Sequence, residues 1–199
     1  MIEIQRNSIY SSATNAIMLL LWLIFFLTFL YACVTPPTAP PAPPWYKSYG
    51  FNSYEDVIRP SSVSILIKAL GDSDRWVRIS AAVALGKIGS EAKEAVPSLI
   101  KALGDSDVRV RHGAINALGK IGSSAESVVP ALIAVLSDPE PDIRKEAISL
   151  LQHNGYTGND FLAALERTAN NDSDDSVKKL ASDVLLRIKF DMLASGKTF

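Results

Sequence analysis

The residues best suited to chemistry in this chain are two histidines, one cysteine and a recurring arginine. A histidine becomes a metal ligand or general base when carboxylates stand beside it. His112 is followed by glycine and His153 by asparagine, so neither has an acid at the next position. Cys33 is the only cysteine, which rules out an intramolecular disulfide and a cysteine-based zinc site. No Gly-rich phosphate loop, Ser/His/Asp order or zinc spacing occurs. The two "GKIG" runs, at 86 to 89 and 119 to 122, read as helix ends. No catalytic residue, metal or cofactor is therefore expected. What remains is recognition, for which Trp76 and Arg109 are the residue types that dominate binding hot spots.

A repeat positions these residues. "LGDSDRWVRISAAVALGKIG" (70 to 89) returns as "LGDSDVRVRHGAINALGKIG" (103 to 122), and a period of 33 divides the chain into copies at 62–94, 95–127 and 128–160, with a degenerate copy at 161–190. Each copy reads as two helices. In the second copy, Val96, Leu99, Ile100 and Leu103 recur at helical spacing, and Pro97 sits in the first turn, where a missing N–H is harmless. Gly104 is expected to end that helix with positive φ. Asp107 is the expected N-cap of the second helix, matched by Asp74 and by Glu140, which precedes Pro141. That helix would bury Val110, Ala114, Ala117, Leu118 and Ile121 before Gly122 stops it.

One helix pair cannot close a core, so each must stack on the next, with Ala81, Ala84, Ala114, Ala117 and Ala147 allowing close approach. The predicted fold is an all-α, right-handed superhelix of about four helix pairs over residues 62–190. An aromatic preamble, residues 45–61, would cap its first end, and residues 191–199 form a tail.

The arrangement resembles the HEAT family, particularly the short bacterial repeats first associated with phycobilisome lyases. The elements that carry the resemblance are Asp74, Val77-Arg78, Ala81 and "ALGKIG" (84 to 89), and again Asp107, Val110-Arg111, Ala114 and "ALGKIG" (117 to 122). In the fourth copy Val177-Lys178 replaces Val-Arg after a one-residue insertion, and the Gly-x-Ile-Gly stop is missing. The resemblance implies a protein-binding scaffold whose second helices line a concave face. It also brings two enzymatic alternatives. HEAT-like deoxyhypusine hydroxylases carry His-Glu pairs for a di-iron centre, and "HG" and "HN" stand where such pairs would be needed. A bilin lyase-like subunit is the other, and it would yield covalent colour on co-expression with an apo-phycobiliprotein and bilin.

On a concave face, Trp76, Arg109 and Asp142 would form one column, Ile79, His112 and Lys145 a second, Ser80, Gly113 and Glu146 a third, Val83, Asn116 and Ser149 a fourth, and Lys87, Lys120 and His153 a fifth. Trp76, Ile79, Arg109, His112 and Asn116 are the expected contacts for a protein or peptide partner. The preamble, as a cover for Trp76, is the alternative use of that tryptophan. Arg78, Arg111 and Arg144 form a further column, continued by Lys178. Each follows its cap acid by four residues, close enough to help satisfy it; an anion-binding ladder is the alternative. With 20 Lys and Arg against 21 Asp and Glu, the net charge of -1 disfavours nucleic acid as a partner.

The first 44 residues stand apart. After a short segment, 1–15, "AIMLLLWLIFFLTFLYACV" (16 to 34) carries no charge and is long enough either to span a bilayer as a separate helix or to act as a secretory signal. "LYAC" (30 to 33) resembles a lipobox, which makes Cys33 the lipidation candidate. Arg6 before the segment and no Lys or Arg after it until Lys47 place the repeats on the exported side. "TPPTAPPAPP" (35 to 44) is an extended linker or, alternatively, a PxxP ligand.

Overall fold

The computed structural model describes residues 45–122 and 128–195. The hydrophobic segment at 16–34, with Cys33, and the linker at 35–44 lie outside the described residues. No helix among the described residues is long and apolar enough to cross a membrane. The chain divides after Trp45, and residues 46–199 form one compact unit.

Among the described residues there are helices and no strands. The preamble forms α1 (Trp45–Ser48), α2 (Tyr54–Val57) and a 3-10 turn (Pro60–Ser62). Four pairs follow: α3 (Val63–Ala69) with α4 (Arg75–Ile88), α5 (Val96–Ala102) with α6 (Val108–Ile121), α7 (Val128–Val135) with α8 (Pro141–His153), and α9 (Asn159–Asn171) with α10 (Asp175–Ala194). The second helices stack in series, α4 on α6, α6 on α8 and α8 on α10. This is an α-solenoid. Val110, Ala114, Ala117, Leu118 and Ile121 are all buried, as their spacing predicts. Ile115, Ala82 and Ile148 are buried too, because each second helix is covered both by its own first helix and by a neighbouring second helix. Ile100 is only half-buried: the seven-residue α5 is too short to point more than one ridge inward, and Val96, Leu99 and Ala102 take it.

The helix ends follow local chemistry. Asp74 and Asp107 accept from the amides of Trp76 (2.8 Å) and Arg109 (2.9 Å). Glu140 occupies the same extended N-cap conformation, yet its side chain makes no capping bond; the extra methylene carries its carboxylate away from the first-turn amides. Gly89, Gly122 and Gly155 stop α4, α6 and α8 with φ of 72°, 72° and 66°. Gly104 corrects the sequence expectation, since its φ is not positive. There α5 ends by tightening, with the Gly104 amide bonded to Lys101 O at 3.1 Å and the Asp105 amide to Ala102 O at 3.2 Å.

The arginine column is structural, but its partners are not the cap acids. Arg78 places Nε and Nη2 on Asp105 at 2.7 and 2.9 Å, and Nη1 on the carbonyls of Asp72 and Ser73. Arg111 repeats this with Asp138 and the Asp105 and Ser106 carbonyls. Arg144 does so with Asp172 and the Asp138 and Pro139 carbonyls. Each fork therefore ties the turn of its own repeat to the turn of the next. The receiving aspartate also shapes its turn by accepting the amide two residues on, as Asp105 does from Asp107 (2.9 Å).

The ends of the ladder explain two substitutions. Asp72 has no preceding repeat, and the hydroxyl of Tyr49 donates to it at 2.6 Å instead. That bond pushes Tyr49 up to about 12 and holds Asp72 below its ordinary range. At the other end Lys178 replaces arginine and pairs locally with Asp175 at 3.0 Å.

Candidate functional site

Between α4 and α6 small residues bring two backbones together. A Cβ on Gly86 would stand 3.1 Å from Ala117 Cα, and one on Gly113 would stand 3.1 Å from Ala82 Cβ. Lys120 Cδ stands 3.6 Å from the same Gly86 position, at the edge of the contact. The result is a cleft of about 210 Å³, rimmed by Val83, His112, Asn116 and Lys120. Between α6 and α8 the equivalent approach is occupied, because Leu150 Cδ1 lies 3.1 Å from where a Cβ on Gly119 would stand. Val83 is 43% exposed at the edge of the cleft, an apolar surface on an otherwise polar rim.

At the N-terminal ends of the same two helices stands Trp76, also 43% exposed. The Arg109 guanidinium carbon lies 4.4 Å from its ring centroid and that of Arg75 5.7 Å. Asp107 steadies this cluster. Its carboxylate accepts from Arg109 Nε at 3.2 Å and Nη2 at 3.1 Å, and Arg75 Nη1 lies 3.7 Å away. The Arg109 bonds, foremost, hold the Asp107 carboxyl below its ordinary range. The indole is thus presented beside fixed cations. The preamble is engaged elsewhere, with Tyr49 on Asp72 and the Tyr54 ring 4.8 Å from Lys87 Nζ.

Of the remaining predicted contacts, His112 and Asn116 are exposed and Ile79 is half-buried; Gly113, a member of the third column, is buried against α4 and displays nothing. His112 is committed to a bond that the columns did not predict: its Nδ1 lies 2.6 Å from Glu146 Oε1 on α8. The signal was available, because Glu146 lies one period plus one residue beyond His112 and second helices stack in series. Among the described residues no group of three or more His, Cys, Asp or Glu side chains is placed to hold a metal ion.

HEAT repeats match residues 64–127 and 96–185. The chain belongs to the HEAT repeat family. The matched stretch contains the cleft, Trp76 and all three Arg–Asp forks. Among solved structures, this HEAT protein is similar to an engineered protein, with 25% identity and a TM-score of 0.45 over 65% of this chain, and it spans 63% of the length of that protein. It is also similar to the complex of CpcE and CpcF of phycocyanin lyase from Nostoc sp. PCC7120, with 23% identity and a TM-score of 0.42 over 69% of each chain. No curated protein matches.

Proposed function

We propose that this HEAT protein is a non-catalytic, membrane-tethered scaffold that binds a protein or peptide through the face made by α4 and α6. The cleft above the Gly86–Ala117 contact supports this reading most directly, because the exposed Val83, His112 and Asn116 rim it and Trp76 stands exposed at the N-terminal end of the same helix pair. The face of α4 and α6 thus offers apolar area, guanidinium donors and an amide, which suits a chain with both apolar and polar groups to offer. Ile79, half-buried, lies one turn before Val83 on α4. Since this face and its neighbours mix cations with Asp107 and Glu146, raised salt should weaken binding modestly rather than abolish it.

The first test replaces Trp76 and Arg109 together by alanine in the full chain, after helicity and melting are shown to be retained. Both side chains are surface groups, so the fold should hold. Partners recovered with the wild type are expected to be lost from this variant, and equal recovery would place the binding face elsewhere.

The tether rests on residues 16–34 and Cys33. If Cys33 is acylated, Cys33→Ser should block processing and leave a precursor heavier by the uncleaved leader. If the segment is a retained helix, the variant should fractionate and migrate as the wild type does. Wild-type chain recovered in the soluble fraction would remove the tether from the proposal.

A further inference from the structure

The two helices that make the proposed binding face contain no acid. α4 carries Arg75, Arg78 and Lys87, and α6 carries Arg109, Arg111 and Lys120. Arg78 and Arg111 are spent in the forks on Asp105 and Asp138, and Lys87 lies over the Tyr54 ring of the preamble. Arg75, Arg109 and Lys120 remain, all three exposed. The carboxylates beside them are engaged. Asp74 and Asp107 cap the helices on the Trp76 and Arg109 amides, and Asp107 also takes Nε and Nη2 of Arg109, with its side chain only 12% exposed. Glu146 places one oxygen on His112 and buries the other. Lys120 lines the cleft itself, and no acid among the described residues pairs with it. The basic character stops at α8, where Asp142 stands at the register of Arg109 and binds Lys145 at 2.8 Å.

These cations have a fixed spacing. Arg109, Asn116 and Lys120 fall within about 20° of one direction around α6, and the rise from Arg109 to Lys120 is about 16 Å. Val83 stands at the register of Asn116 on α4, so the apolar edge of the cleft lies between the two basic ends. We infer that the occupant of this face is an acidic segment of a partner protein. An apolar residue of that segment meets Val83, one carboxylate meets Arg75 and Arg109, and a second meets Lys120. The inference rests on the binding face proposed above and adds the chemistry of its partner. In an extended chain rising about 3.3 Å per residue, the two acids are about five residues apart. Exposed ion pairs are individually weak and screened by salt, so the cleft and the indole hold the segment while the charges choose it and turn away basic ones.

The test selects random phage-displayed peptides on the purified full chain in phosphatidylcholine vesicles. Enriched sequences should carry acids on both sides of an apolar residue. In a synthetic copy, exchanging those acids for their amides should weaken binding at least ~tenfold. Lys120→Gln, at an exposed position, should weaken it severalfold with helicity unchanged, whereas Lys101→Gln on α5 should not. Neutral or basic peptides that the Trp76→Ala, Arg109→Ala variant no longer holds would overturn the inference and leave the binding face standing. Acidic peptides held equally by that variant would remove the face itself. Displacement of the peptide by phosphatidylglycerol in the vesicles would give the face to lipid, and displacement by added chain would give it to a second copy; either result, or no enrichment, overturns the inference.

Discussion

Arg111→Ala is expected to destabilise the solenoid by about 3 kcal/mol, more than any surface substitution should. The Arg111 and Asp138 side chains are only 9% and 7% exposed, and Nε and Nη2 reach the carboxylate at 2.7 and 2.8 Å. Removing the guanidinium leaves the Asp138 carboxylate, among the described residues, with the Glu140 amide and frees the Asp105 and Ser106 carbonyls. Breaking a buried pair costs about 3 to 5 kcal/mol, and the position of this one at the rim of the stack places it at the lower end. Lysine should restore less than half, since a point charge cannot bond both carboxylate oxygens and a carbonyl together. Asp138→Asn keeps an oxygen for the Glu140 amide, so a double-variant cycle with Arg111→Ala isolates the charged fork. Additive losses in denaturant midpoint would show that the fork carries nothing.

The same ladder sets an acid limit. Burial pushes the Asp105 and Asp172 carboxyls up, but the arginine forks and turn amides pull harder and leave both below the ordinary 3.8. A carboxyl with a depressed folded value contributes stability that is full above its unfolded value and lost as pH falls through the folded one. Stability should hold level from about pH 7 to 5 and fall below about pH 4.

Leu118→Ala should cost roughly 2 to 5 kcal/mol. Leu118 is 1% exposed on α6, which packs on α4, α5 and α8 at once. A cavity there cannot collapse without moving helices that already touch at Gly86 and Gly113. Because a solenoid holds together through nearest-neighbour interfaces, a loss in the second repeat weakens the stack on both sides. Equilibrium unfolding is the measurement, and an unchanged midpoint would mean that the apolar stripe is not the shared core.

The period of 33 made the helix pairs, the core stripe and most stops legible in the sequence, because each is a local choice repeated at a fixed interval. Gly122 and Asp107 do what their types dictate at those places. The arginine partners were not legible. Four residues along a helix is an obvious reach for Arg78, whereas Asp105 lies 27 residues on and comes near only once the turns stack. Gly104 misleads for a related reason: a turn that must enter the Asp105 hydrogen-bonding geometry closes tightly, without a left-handed residue. At the candidate site, the exposure of Trp76 followed from its place beside Val77. The cleft did not, since Gly86 read as a small residue near a helix end, and only the packing shows that it faces Ala117.

The most direct test of the proposed binding face is site-specific photo-crosslinking from Val83, which edges the cleft and is already exposed, in the full chain with its recovered partner. A benzophenone amino acid at Val83 should attach to that partner, and the Trp76→Ala, Arg109→Ala background should remove the adduct. The same probe at Lys101, on the first-helix side, should give none. Attachment from Lys101 with none from Val83 would contradict the assignment of partner binding to α4 and α6.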